Sequence, residues 1–228
     1  MSQEYIRVYK TLSAEKQNID VPLADGFEDT LVKWKVTASA SDGTATRDTT
    51  YAYRGEACLK LDTGATTPTA GDHEDIERYC GMIKDNIISC SLRFLLASVL
   101  GSTTLGSTFT LINRETGKKY VLGIRYRQGA TDDYFEYQTA IGTWTVFATV
   151  PYGISGGLWY NMEIVMDLNT GKYLYAIAGG KKYSLAGISP DTSTPAAADT
   201  NKAFITLIAD AAAQRIAYID DVIIDKVV

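Results

Sequence analysis

Apolar and polar residues alternate with a period of two along most of this chain, the spacing of half-buried strands. Four stretches pair such runs around turn residues. "TFTLINRETGKKYVLGIRY" (108–126) turns at Glu115–Thr116–Gly117 and "WYNMEIVMDLNTGKYLYAIA" (159–178) at Asn169–Thr170–Gly171. "YLYAIAGGKKYSL" (173–185) turns at Gly179–Gly180 and "DDYFEYQTAIGTWTVFATV" (132–150) at Ile141–Gly142. Together they predict a run of consecutive antiparallel strands from about 107 to 185. Upstream, "YAYRGEACLKL", "DIERYCGMI" and "NIISCSLRFLL" supply three more strands; downstream, "KAFITLIA" and "RIAYIDDVII" supply two. Helical periodicity is confined to short pieces such as "LSAEKQN" and "ADAAAQ". About a dozen strands at regular spacing predict an all-β sandwich rather than βαβ units.

The stretches 62–73 and 187–201 are rich in Thr, Pro, Ala, Gly and Asp and read as loops. Neither divides the chain into two complete sheet systems. The expected organisation is therefore an N-terminal arm or edge strand over 1–20 and a single domain over 21–228.

Composition narrows the partners. A net charge of −5 without any basic run disfavours nucleic acid. No apolar stretch approaches a membrane span, and residues 1–21 lack the basic and apolar regions of a secretion signal. The expected location is the cytoplasm or a virion. Cys58, Cys80 and Cys90 match no zinc spacing. Cys80 and Cys90 would face each other across a hairpin with Lys84–Asn86 at its tip; buried free thiols are favoured over a disulfide.

Two ends of the chain carry acidic groups beside apolar ones: "LADGFEDTLVKWKV" (23–36) and "AYIDDVIIDKVV" (217–228). With "YAYRGEACLKLDT" and "GLWYNMEIVMDLNTGKYLYAIAGGKKY", this order of motifs resembles the concanavalin A-like lectin/glucanase superfamily, including laminin-G-like domains and related carbohydrate-binding modules. The resemblance covers most of residues 25–225. It implies a single antiparallel jelly-roll sandwich with first and last strands side by side, and glycan binding or cleavage in many members. Alternation puts Asp220 and Asp221 on opposite faces of their strand. A partly buried carboxylate needs a counter-charge, and related modules hold a structural calcium near these ends. Glu28, Asp29, Asp220 and Asp221 are the expected ligands, with a salt bridge to Lys33 or Arg215 as the other solution.

Retaining glucanases of the superfamily place carboxylates at alternate positions of one strand, about 5 Å apart, as nucleophile and acid/base. In "GDHEDIERYC" (71–80), Asp75 and Glu77 match the second and third positions of that pattern, but His73 occupies the nucleophile position. No G-x-S-x-G elbow or H-E-x-x-H pair is present. The expectation is accordingly a non-catalytic recognition or structural module, glycan-binding or assembled with virion subunits as a capsid-decoration or tail-associated protein, and compatible with an oligomer. The alternative is a glycan-active enzyme with an atypical site near Asp75 and Glu77. Ligand candidates are Arg93, Arg125, Arg127, Tyr137, Trp144 and Glu163, which would line one polar surface if their strands share a sheet. Trp144, beside the Gly142 turn, is the ring expected to be most exposed, whereas Trp34 and Trp159 read as core.

Overall fold

The computed structural model describes residues 23–28, 31–38, 42–66, 69–81, 83, 86–97, 103–151, 153, 154 and 156–227. The expected arm over 1–20 and Asp29 lie outside the described residues. The strands are β1 (Leu23–Asp25), β2 (Lys35–Ala38), β3 (Thr44–Asp48), β4 (Cys58–Asp62), β5 (His73–Tyr79), β6 (Ile87–Leu96), β7 (Thr103–Asn113) and β8 (Lys118–Arg127). They continue as β9 (Asp132–Ala140), β10 (Thr143–Pro151), β11 (Trp159–Asp167), β12 (Lys172–Ala178), β13 (Lys181–Ser184), β14 (Asp191–Ser193), β15 (Lys202–Ala209) and β16 (Ile216–Lys226). One 3-10 turn, Leu31–Lys33, precedes β2.

Two antiparallel sheets form the sandwich. The first runs β13-β12-β11-β6-β16-β4-β3, with β1 also on β16; the second runs β10-β9-β8-β7-β15-β5-β2, with β14 on β8. First and last strands are neighbours as the resemblance implies, since Leu23 pairs with Ile224 and Asp25 with Val222. The four hairpins turn where the turn residues sit, with Gly117, Gly142, Gly171, Gly179 and Gly180 all at positive φ. The predicted run over 107–185 is divided, however. β7 to β10 belong to the second sheet and β11 to β13 to the first. β5 and β6 are likewise in different sheets, so Cys80 and Cys90 are not partners across a hairpin. All three cysteines are free thiols.

The core lies between the sheets and takes one parity from each strand. Phe109, Leu111, Tyr120, Leu122, Tyr126 and Phe135 enter it from the second sheet, and Phe94, Met162, Ile164, Tyr173 and Ile219 from the first. Buried tyrosines need partners for their hydroxyls. Tyr173 donates across the core to the Gln138 carbonyl at 2.8 Å, and Tyr120 to the Leu168 carbonyl at 3.0 Å. These bonds tie the two sheets together as well as fill space.

Alternation fails in β16. A bulge between Asp220 and Ile223 shifts the register against β6, and Asp221 takes φ 50°. Both carboxylates are thereby buried, at 0% and 8% exposure, rather than sent to opposite faces. The bulge falls where the neighbour of β16 changes from β4 to β1.

Glu74 is the one carboxylate on the core parity of β5. It is 0% exposed, and neither oxygen has a hydrogen-bond partner. Desolvation, with Asp75 next to it, pushes its carboxyl up from 4.5 to about 7. A raised carboxyl pKa means that the fold disfavours the ionised form. The cost is absent below pH 4.5, grows as pH rises, and is complete above 7. Glu74→Gln is therefore expected to be near neutral in stability at pH 4 and stabilising by at most about 3 kcal/mol at pH 8, read from urea unfolding at both pH values. Equal effects at the two pH values would refute this account.

Candidate functional site

Sheet pairing assembles a polar surface on the outside of the second sheet. On β5 the outward parity is His73, Asp75 and Glu77. Asp75 pairs with Thr206 of β15, Thr206 with Gly106 of β7, Gly106 with Arg125 of β8, and Arg125 with Glu136 of β9. A parallel row runs from His73 through Ile208 and Thr104 to Arg127 and Tyr134. A third runs from Glu77 through Phe204 and Thr108 towards Gly123. Thr206, Gly106, Thr104 and Thr108, with Phe204 and Ile208 beside Thr206 on β15, thus form a floor between the side chains on β5 and those on β8–β9. Three strand spacings separate the two walls, about 14 Å between backbones, enough to seat a sugar ring.

The wall on β8 to β10 is a packed stack. Glu136, 4% exposed, accepts from Arg125 Nε at 2.5 Å and from Arg127 Nη2 at 3.1 Å. Arg125 lies over the Trp144 ring at 4.4 Å and Arg127 over Tyr134 at 4.7 Å. Trp144 is laid against the sheet because Gly123 has no side chain: a Cβ there would stand 2.7 Å from Trp144 Cη2. Trp144 is half-buried.

The β5 wall carries the titratable groups. Glu77 is ion-paired with Lys202 at 2.6 Å. His73 Nε2 is 3.5 Å from Asp75 Oδ2, and Nδ1 lies 3.2 Å from the Gly71 carbonyl. Nδ1 therefore donates to the Gly71 carbonyl, and Nε2 faces Asp75. Asp75 Oδ1 is shut away from solvent without a hydrogen-bond partner. Desolvation raises the Asp75 carboxyl above its usual range, against smaller lowering effects from the Thr206 hydroxyl and His73.

The ligand candidates separate. Arg125, Arg127 and Trp144 share this face, as does the alternative pair Asp75 and Glu77. Tyr137 does not: it is buried in the core, where its ring meets Tyr173 edge-on at 5.9 Å. Arg93 and Glu163 belong to β6 and β11 of the other sheet. Glu163 accepts from Ser89 Oγ at 2.7 Å, and Arg93 pairs with Asp221 at 3.1 Å. Glu136 and Gln138, absent from those candidates, have the outward parity of β9. The alternation that excludes Tyr137 is the signal that points to them.

Donors meet the acidic groups near the two ends of the described chain. Asp220 Oδ2 accepts the backbone N–H groups of Tyr53 at 3.0 Å and Arg54 at 3.1 Å. Glu28 Oε2 accepts Glu56 N–H at 2.9 Å. They hold a strap, residues 49–56, over the outside of the first sheet. There Tyr51 meets Tyr218 at 4.5 Å and Tyr53 meets Trp159 at 5.7 Å. Trp159 is accordingly part of a small outer cluster with Cys58, Leu95 and Tyr218, not of the main core. Among the described residues no group of three or more His, Cys, Asp or Glu side chains is placed to hold a metal. Amide donors meet Asp220 and Glu28, and the Arg93 guanidinium meets Asp221; Asp29, the fourth of the expected calcium ligands, lies outside the described residues.

No family model matches this sequence, and no curated protein does. Solved structures share its fold. It is similar to the conserved carbohydrate esterase of the Shiga toxin-encoding bacteriophage phi24B, at TM-score 0.61 and 13% identity over 90% of this chain and 97% of that one. It is similar to the alginate lyase Aly36B, at TM-score 0.51 and 13% identity over 92% and 100%. The Bacillus licheniformis β-glucanase matches at TM-score 0.50 and 10% identity over 91% and 99%. The protein therefore has the concanavalin A-like jelly-roll fold. The expectation of a non-catalytic module is corrected by the same finding, because these three matches are carbohydrate-active enzymes.

Removing the carboxylate that holds the strap tests its role. Asp220→Ala should cost about 2–3 kcal/mol in urea unfolding, the scale of two charge-assisted hydrogen bonds left unmade in a buried setting. It should also raise amide exchange at Tyr53 and Arg54. An unchanged stability and exchange pattern would show that the strap is held by its rings alone.

Proposed function

We propose that the protein is a glycan-cleaving enzyme whose substrate chain lies across the outer face of the second sheet. The observation that carries this reading is the Asp75–His73 couple. Glu136 is caged by two guanidinium groups and Glu77 is ion-paired. Asp75 alone on this face combines a raised pKa with an imidazole nitrogen at 3.5 Å. Carbohydrate-active enzymes on the same fold support the class of substrate.

The chemistry follows from the partners. A protonated Asp75 donates its proton to the bridging oxygen of the chain as the bond breaks, His73 at 3.5 Å orients the carboxyl, and Asp75 takes a fresh proton from solvent once the product leaves. His73 cannot form a glycosyl ester, so a double displacement through the residue at that position is lost. Glu77 is the second carboxylate on the same face, two residues along the strand. With no carboxylate at position 73, the reading is single displacement with inversion, in which a second carboxylate activates a water on the far side of the bond. Glu77 activates the water when Lys202 releases it. Environments that set two carboxyls apart in this way assign acid and base.

The test is turnover of a panel of β-glucans, xylans, galactans, mannans and alginate by the purified chain, followed by mass spectrometry, with product anomers followed by NMR. Cleavage of at least one substrate with inverted stereochemistry is expected. Asp75→Asn and Glu77→Gln should each lower kcat by about 10²–10⁴-fold, the usual worth of a general acid or base, with the melting temperature retained. Absence of cleavage across the panel, or activity untouched by Asp75→Asn, refutes the proposal.

A further inference from the structure

The end strand of a sheet leaves a row of backbone N–H and C=O groups free to pair with another strand. Among the described residues, three of the four sheet ends are short and charged. β13 (Lys181–Ser184) has two lysines, β2 (Lys35–Ala38) has one, and β3 (Thr44–Asp48) has Arg47 and Asp48. Short strands with charged side chains resist pairing. The fourth end is different. β10 is nine residues long, Thr143–Pro151, and among the described residues it pairs with β9 alone. It carries no charged side chain, and neither does any other position between Glu136 and Glu163.

Apolar side chains accompany this open edge. Val146 pairs with Glu136 of β9 and is 42% exposed; Ile141, in the turn that leads into β10, is 77% exposed. The strand has two milder protections, a bulge against β9 between Val146 and Ala148 and Pro151 at its end. Neither puts a charge along it. Charge then selects the partner. A charged strand laid along β10 would find no ion pair there, whereas an uncharged strand of equal length fits. Among the sheet ends of this chain the one that meets both conditions is β10 itself. A strand set antiparallel to its own copy is self-complementary about a two-fold axis. Each copy carries a net charge of −5, so two copies meet with least repulsion along a strand that carries none.

From this contrast between edges we infer that two copies of the chain associate by antiparallel pairing of β10 with β10, which joins their second sheets into one continuous sheet. The two-fold axis passes near the middle of the strand. Val146 lies beside that middle and so comes close to its counterpart in the other copy. The rows on the outer face of the second sheet reach β10, where Glu136 pairs with Val146 and Gln138 with Trp144. Pairing therefore also makes the two outer faces continuous. This association depends on the sheet edge alone and is independent of the glycan-cleaving function.

Sedimentation velocity and light scattering on the full chain read the association state. A dimer is expected at about 50 μM protein, with a dissociation constant of about 10 μM or tighter. Amide exchange over 143–150 should slow as the protein concentration rises through that constant. Val146→Lys and Val146→Glu, at an exposed position, should each keep the melting temperature of the unsubstituted monomer. Each should weaken association at least tenfold, because each sets two like charges near the axis. An equal mixture of the two variants should dimerise again, since lysine then faces glutamate; pairing with a foreign strand gives no such rescue. Should either variant unfold, the concentration dependence of exchange in the unsubstituted chain decides alone. The inference is overturned by a chain that stays monomeric at about ten times the expected dissociation constant, by a dimer that survives both variants, or by a variant mixture that stays monomeric. Two exchange results overturn it as well. Protected β10 amides in a monomer would give the edge to a segment outside the described residues, and unprotected β10 amides in a dimer would give the contact to another surface.

Discussion

A strand has two faces and a sandwich has one core, and this constraint arranges nearly everything in the molecule. On β8 the core takes Tyr120, Leu122, Ile124 and Tyr126, which leaves Gly123, Arg125 and Arg127 outside. On β9 it takes Phe135 and Tyr137, which leaves Tyr134, Glu136 and Gln138. On β5 it takes Ile76, which leaves His73, Asp75 and Glu77. Pairing through β7 and β15 then aligns those leftovers into rows. The candidate site thus consists of the complementary parity of the core residues, and its spacing is fixed by the strand separation. A side chain moved by one position would go from the trough to the interior, as Glu74 shows beside Asp75.

Within that frame the carboxylates are sorted by what meets them. Asp220 meets backbone N–H groups and Asp221 meets Arg93, because a bulge brings both inside. Glu136 meets two guanidiniums and becomes the support of an aromatic stack. Glu77 meets an ammonium. Glu74 meets nothing and is pushed towards the neutral form. Asp75 meets an imidazole on one oxygen and no donor on the other. Of these environments only the last favours a proton held loosely at an accessible face. Number and type of acidic residues alone would rank the chain ends ahead of β5 as a site. Their partners reverse that order.

Local features were legible in the sequence and long-range ones were not. Turn glycines marked four hairpins correctly because positive φ is a local demand. The side-by-side ends followed from the order of motifs. Sheet membership left no trace: period two states which residues share a face of one strand, but not which sheet the strand joins. This is why Arg93 and Glu163 were grouped with Arg125 and Arg127, and why Cys80 was set opposite Cys90. Tyr137 is a different case, since parity with Phe135 already placed it in the core and parity with Glu136 already pointed to Gln138. The bulge in β16 had no local signature, as Asp221 occupies positive φ where glycine would have advertised it. The role of Gly123 also depends on contact across strands, with a ring on β10 that only the folded sheet brings near.

His73 is where the local and long-range arguments meet. Read along the chain, an imidazole in the position of a nucleophilic carboxylate counts against catalysis, because one mechanism is lost. Placed in the sheet, the same imidazole turns Nε2 to Asp75 and takes the place of a second negative charge. A carboxylate there would compete with Asp75 for one proton and repel Glu77. In the proposed mechanism the imidazole instead leaves Asp75 as the acid while Glu77, farther along the strand, keeps its counter-ion. On the proposed reading, an imidazole at this position changes which displacement the face would carry out and leaves Asp75 and Glu77 as its acid and base.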